Sequence, residues 1–257
     1  MADFIDTHCH LDCSPLVERL PEVLAAAGRV GVCRYIVPGI DAAGWERIAA
    51  LAQDRAIIHA AFGLHPMHAL NYGDETLIEL ERFTRQATAI GEIGLDYALQ
   101  LIPREAQKES FRAQLRMAVR VGLPVMIHCR RAFGDLLTIL REERVERVGG
   151  VMHAFSGSPE IAAECVRLGL MISVSGTVTY GNAVRPVEVA RRVSLEHLVL
   201  ETDAPDMTPD PYRGRPNEPA FLLETAKKVA VIKGVSLEEV AAVTTINAER
   251  IFNLKKQ

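Results

Sequence analysis

Short apolar runs recur along the chain at near-regular intervals: Phe4 to Asp6, Tyr35 to Val37, Ile57 to Phe62, Ala89 to Ile90, Val125 to Ile127, Gly150 to Met152, Met171 to Val174 and Leu198 to Leu200. Between them lie amphipathic stretches, among them Pro15 to Ala27, Ala42 to Gln53, Thr76 to Gln86, Arg104 to Val121 and Ala132 to Glu143, whose apolar residues fall at helical spacing. Strand and helix therefore alternate along the whole length, the pattern of a parallel sheet. Eight repeats without a linker, low-complexity tract or composition break predict the α/β class and a single (β/α)8 TIM barrel over residues 1–257, in preference to two doubly wound halves.

The polar chemistry falls at the C-terminal ends of these runs. There the chain reads His8-Cys9-His10, Pro38-Gly39, Gly63-Leu64-His65-Pro66, Gly91-Glu92-Ile93-Gly94-Leu95-Asp96, His128-Cys129-Arg130, His153-Ala154-Phe155-Ser156-Gly157, Ser175-Gly176-Thr177 and Glu201-Thr202-Asp203. In a βα barrel all these ends meet on one face, where such enzymes place catalysis. On an extended segment alternate residues share a side, so His8 and His10 stand roughly 7 Å apart at their roots and can converge on one ion while Cys9 points away.

Candidate metal ligands are His8 and His10 from the first strand, Glu92 from the fourth, His128 from the fifth, His153 from the sixth and Asp203 from the eighth. Six donors exceed what one tetrahedral ion takes while keeping a water position, so two ions sharing a carboxylate is the economical arrangement. Glu92 is the natural bridge. His8, His10 and Asp203 would hold one ion, because first and last strands adjoin in a closed barrel, and His128 and His153 the other. Taken singly, Glu92 also reads as a buried ion-pair partner and Asp203 as a helix cap. His59, His68 and His197 follow no strand end in a polar cluster and read as ordinary core or surface residues.

Composition narrows the classes further. Hydrophobic residues make up 49% of the chain and charged residues 24%, a globular balance with ample core. No run of about 18 apolar residues exists to span a membrane, and no basic segment leads into a long apolar stretch as in a signal peptide, so a cytoplasmic location is expected. The five cysteines sit mostly in apolar stretches and read as reduced thiols. A net charge of −4 argues against a broad nonspecific nucleic-acid surface and confines phosphate affinity to bound metals and a few arginines. No Gly-rich stretch runs into Gly-Lys-Ser/Thr and no GxGxxG follows a strand, so no nucleotide cofactor is implied.

The strings FIDTHCHLD, GLHP, GEIGLDY, HCR, HAFSGS, SGTVTY, LETDAPD and RGRPNEP, in this order and spacing, resemble the TatD family of metal-dependent hydrolases within the amidohydrolase superfamily, essentially end to end. The resemblance implies a (β/α)8 barrel with a dinuclear centre and carries ligand roles onto His8, His10, Glu92, His128, His153 and Asp203, with Glu201 a weaker carry-over. It also implies that His65 faces substrate. Asp203, Glu92 and His65 are then the expected catalytic residues, with Asp203 accepting the proton of the attacking water. Arg130, Arg213 and Arg215 are the expected anion clamps, and Ser156 to Pro159 is expected to open a helix with serine as cap and proline in the first turn. Two divalent ions, zinc, manganese, nickel or magnesium, are the implied cofactors.

The activity so implied is a deoxyribonuclease working 3′ to 5′ on DNA ends. Deacylation of D-aminoacyl-tRNA, or hydrolysis of another carboxyl ester or amide, stays open on the same centre, as does a metal-binding barrel without turnover. Tyr97-Ala98-Leu99-Gln100-Leu101-Ile102 and Pro216 depart from the aromatic and basic segments frequent in relatives, which weakens the expected grip on a polynucleotide.

Overall fold

The computed structural model describes residues 3–255; of the expected domain, residues 1, 2, 256 and 257 lie outside the described residues. Eight strands, β1 (Phe4–Asp6), β2 (Val32–Pro38), β3 (Ile58–Phe62), β4 (Ala89–Asp96), β5 (Val125–Arg130), β6 (Gly150–Met152), β7 (Leu170–Val174) and β8 (Leu198–Leu200), pair in parallel in chain order. The ring closes between β8 and β1. There the Thr7 N–H donates to the Leu200 carbonyl at 3.0 Å, and just above it the Asp203 N–H reaches the His8 carbonyl at 2.9 Å. The expected TIM barrel is the fold that forms.

The outer ring consists of α1 (Leu20–Arg29), α2 (Ala42–Asp54), α3 (Asp74–Phe83), α4 (Arg104–Val121), α5 (Phe133–Glu142), α6 (Pro159–Arg167), α7 (Arg185–Arg192), α8 (Leu222–Lys233) and α9 (Leu237–Ile251). Side-chain oxygens cap several of them: Asp41 accepts from Gly44 N–H, Ser158 from Ile161 N–H and Ser236 from Glu239 N–H. The cap of α6 is thus Ser158, with Pro159 in the first turn as the sequence predicts. The first helix differs from expectation. It starts at Leu20, not Pro15, because Pro21 has no N–H to give and is tolerated only in a first turn.

The fourth strand also runs further than its apolar run, through Gly91 and Gly94 to Asp96. Gly94 adopts φ +147°, and a Cβ there would fall 1.9 Å from the His128 carbonyl oxygen. Only glycine lets β4 come this close to β5, and the same approach brings Glu92 within reach of His128.

Inside the barrel, Ile5, Ile36, Ala61, Ala89, Met126, Val151, Met171 and Val199, one from each strand, form an apolar layer packed against Ala248 of α9 and Phe252 beyond it. The larger core lies outside the sheet, between strands and helices, around Trp45, Tyr35, Phe62 and Phe111. No helix of the described residues is long and apolar enough to cross a membrane.

Candidate metal centre

Strand alternation builds the site on top of that layer. Two positions beyond an inward-facing residue the chain faces inward again, so His128 follows Met126, His153 follows Val151 and Glu201 follows Val199. His8 and His10 lie just past β1, and Asp203 just past β8 takes a left-handed φ of +57°, held by its N–H bond to the His8 carbonyl. All six sequence-derived ligands come together on one face.

Their donor atoms close on common centres. The Nε2 atoms of His8 and His10 are 3.2 Å apart, His8 Nε2 is 3.4 Å from Glu92 Oε2, and both nitrogens are 3.6 Å from Asp203 Oδ1. Ligands around a tetrahedral ion with bonds near 2.1 Å stand about 3.4 Å apart, so these four donors have the spacing of one ion's ligand shell. Around the other oxygen of Glu92, His128 Nδ1 lies at 2.9 Å, His65 Nε2 at 3.7 Å and His153 Nε2 at 3.8 Å. His153 stands between the two groups, its Nε2 3.7 Å from Asp203 Oδ1 and its ring stacked on His8 with centroids 3.5 Å apart. Glu92 touches both clusters, the geometry required of a shared carboxylate.

Charge is distributed accordingly. Burial works to raise the Glu92 and Asp203 carboxyls, but the imidazoles of His153 and His8 overcome it and hold both below the usual range, Glu92 well below. Burial works to lower His153, yet the carboxylates of Glu201, Asp203 and Glu92 raise it to about 10. Burial lowers His65 to about 4, so its ring is neutral. Two ionised carboxylates and converging imidazole nitrogens, out of water, form a donor set that fits a divalent cation.

Hydrogen bonds set which ring nitrogens face the site. His65 Nδ1 accepts the Met67 N–H at 3.2 Å, which leaves the proton of the neutral ring on Nε2, facing the site. His65 thus turns a hydrogen-bond donor toward Glu92 and the cavity. His153 is fixed the other way: its Nδ1 meets Glu201 Oε2 at 3.0 Å, so Nε2 is the nitrogen turned toward Glu92 and Asp203. Glu201 is fully buried, and its second oxygen accepts the Ala154 N–H at 2.6 Å.

Two supporting carboxylates escape sequence reasoning. Asp96 Oδ2 stands 3.4 Å from His128 Nε2, and Gln107 on α4 fixes its backbone by accepting from the Asp96 N–H and donating to the Asp96 carbonyl. Asp6, pushed up to about 7 by burial, accepts from Thr202 Oγ1 at 2.5 Å and from its N–H at 2.9 Å, tying the β1 end to the β8 end beneath the ligands. Their only sequence signal is a lone acid at a strand end.

Above the donors opens a cavity of about 460 Å³. His10, His65, Glu92, His128, His153 and Asp203 line its floor, Ile40, Met67, Pro205 and Met207 its walls, and Arg130 and Cys13 its edge. Arg213 and Arg215, expected beside it, are not among the lining residues. Arg213 lies over the Tyr180 ring at 4.3 Å, and Arg215 over Tyr212 and Phe221 at 4.6 Å. Of the histidines read as ordinary, His68 sits 3.9 Å from Asp41 and His59 is half-buried at the far end of the barrel.

Comparison with known proteins places the chain in a family. The model of the TatD related DNase family matches residues 5–253. The metal-dependent hydrolase YabD of Bacillus subtilis is 40% identical over 251 residues, covering 97% of this chain and 98% of its own length. The 3'-5' ssDNA/RNA exonuclease TatD of Erwinia tasmaniensis is 34% identical over 243 residues, 91% of this chain and 93% of its own. The crystal structure of the TatD homologue YjjV of Escherichia coli superposes with a TM-score of 0.94 at 35% identity, over 99% of each chain. With family model, relatives and solved structure all spanning the barrel and its strand-end donors, the chain belongs to the TatD related DNase family.

Proposed function

We propose that this protein is a divalent-metal-dependent hydrolase that removes nucleotides from the 3′ ends of DNA, residues 1–257 acting as one catalytic domain. The observation that carries this reading is the convergence of the His8, His10, Glu92 and Asp203 donors at 3.2–3.6 Å on the floor of an open cavity. The name borne by the Erwinia tasmaniensis relative supports nucleic acid as the substrate.

We assign His8, His10 and Asp203 to one ion, His128 and His153 to a second, and Glu92 to both. Four imidazoles favour zinc, nickel or manganese, while the carboxylates also accommodate magnesium. When bound, such ions lower the pKa of water toward neutrality and neutralise charge on a phosphoryl oxygen. Asp203, ionised and turned toward the floor, accepts the proton of the attacking water. His65 donates its Nε2–H to the substrate, and Arg130 at the cavity edge pairs with a phosphate. Arg213 and Arg215, engaged with Tyr180 and Tyr212 and outside the cavity lining, are assigned to phosphates of the substrate beyond the one at the cavity. The five free thiols suit a reducing compartment, the cytoplasm.

The apolar walls of Ile40, Met67, Pro205 and Met207 favour one rival, a carboxyl-ester hydrolase acting on an acyl group such as that of a D-aminoacyl-tRNA. The deciding experiment offers the metal-loaded protein 5′-labelled single-stranded DNA, duplex DNA, RNA, D-aminoacyl-tRNA and small carboxyl esters. Stepwise shortening of the DNA from its 3′ end is expected. Ester turnover with intact DNA would select the rival, and no turnover on any substrate would leave a metal-binding barrel without chemistry.

A further inference from the structure

We propose a separate cation site at the cavity edge, selective for a thiophilic divalent ion such as zinc and formed by Cys13 and Asp12 with His10. One donor atom from each of these residues lies within 4.8 Å of the other two. Thiolate, imidazole and carboxylate together select zinc or cobalt over magnesium, because sulfur is a soft ligand.

The site is built rather than incidental. The Cys13 N–H donates to the His10 carbonyl at 3.0 Å, and the Cys13 carbonyl accepts from Leu16 and Val17, so a tight turn fixes cysteine against histidine. The Asp12 side chain is only 4% exposed; Arg47 holds its Oδ2 at 2.8 Å, while Oδ1 is buried with no hydrogen-bond partner among the described residues. The neighbouring Cys13 thiol is within reach of this carboxylate, and a cation bound by both would take the place of the thiol proton between them. On coordination the thiol proton passes to solvent and the thiolate binds the metal.

Cys13 opens onto the same cavity as the floor donors, and His10 belongs to both groups. An ion at the edge draws His10 from the floor, so excess zinc opposes the ion that His10 helps to hold there. This inhibitory consequence rests on the hydrolase reading; binding at the edge does not.

Cobalt(II) titrated into the manganese-loaded protein tests the site, because only a thiolate ligand gives a sulfur-to-cobalt charge-transfer band in the near ultraviolet, and Cys129, the other thiol lining the cavity, is unchanged in Cys13→Ala. The band is expected in wild type, weakened in Asp12→Asn and absent in Cys13→Ala. Its absence from wild type, or survival in Cys13→Ala, overturns the proposal. A measurement on the unaltered protein guards against a misfolded variant: iodoacetamide labelling with peptide mapping should find Cys13 protected by zinc, while Cys33, half-buried at the other end of the barrel, labels equally with and without it. Equal labelling of Cys13 in both conditions also overturns the proposal. Neither readout needs turnover, so failure here is distinguishable from failure of the proposed activity.

Discussion

Glu201→Gln isolates the contribution of a residue that touches no substrate. The carboxylate serves two donors at once, the His153 Nδ1–H at 3.0 Å and the Ala154 N–H at 2.6 Å, in a position with no solvent to take either over. Glutamine keeps the shape but has a single acceptor oxygen. If that oxygen serves Ala154, the amide NH2 faces His153 and forces its proton onto Nε2, the atom that must carry a lone pair to a metal. If it serves His153, the Ala154 N–H is left against an NH2 group. A buried donor without a partner costs about 1–3 kcal/mol, and at about 1.4 kcal/mol per decade this is about 5- to 140-fold in metal affinity, bracketing the loss of about 10- to 100-fold expected for partners of ligating histidines. Isothermal titration with manganese or zinc measures it, with circular dichroism as the check that the barrel is intact. A folded variant whose affinities stay within about twofold of wild type would refute the assignment of Glu201 as the group that sets the His153 tautomer.

Asp203→Asn should keep part of the bound metal yet slow single-turnover cleavage by about 100- to 10,000-fold, the usual cost of a lost general base; a wild-type rate would remove Asp203 from that role. Glu92→Gln, which alters the one carboxylate shared by both clusters, should lose metal by elemental analysis and lose more rate than Asp203→Asn. His65→Ala should retain full metal content while cleavage slows, since the wild-type ring presents a proton, and metal loss would place it among the ligands. Metal uptake at pH 7 to 8 should release a proton, because His153, raised to about 10, must shed one to coordinate, whereas His65, at about 4, has none to shed. Affinity should accordingly rise with pH across this window, and titrations in buffers of different ionisation enthalpy that show zero release would contradict the ligation of His153.

The barrel was legible because parallel strands buried on both sides must be written as apolar runs, and the ligands because each follows such a run where the chain leaves the sheet. Harder to read were features that depend on partners far away in sequence. Gly91 and Gly94 look like a loop until the close approach of β5 explains them. Asp96 gains meaning only from His128, 32 residues on, and Gln114 only from Leu64, whose N–H and carbonyl it bonds from 50 residues away. Arg213 and Arg215 invite assignment as phosphate clamps on charge alone. The aromatic rings over which they lie, supplied in part by Tyr180 and Phe221, appear only when the loops are folded together.

The apolar layer beneath the donors, packed against Ala248 and Phe252, closes the lower end of the active site among the described residues and makes it a well. No strand of nucleic acid can be drawn through it, as through a ring, so substrate and product use the same opening. Under the exonuclease reading the shortened end must back away to let each released nucleotide out. Cleavage then proceeds in separate encounters, and on a mixture of labelled and later-added unlabelled DNA the second population should be attacked at once rather than wait for the first to be consumed.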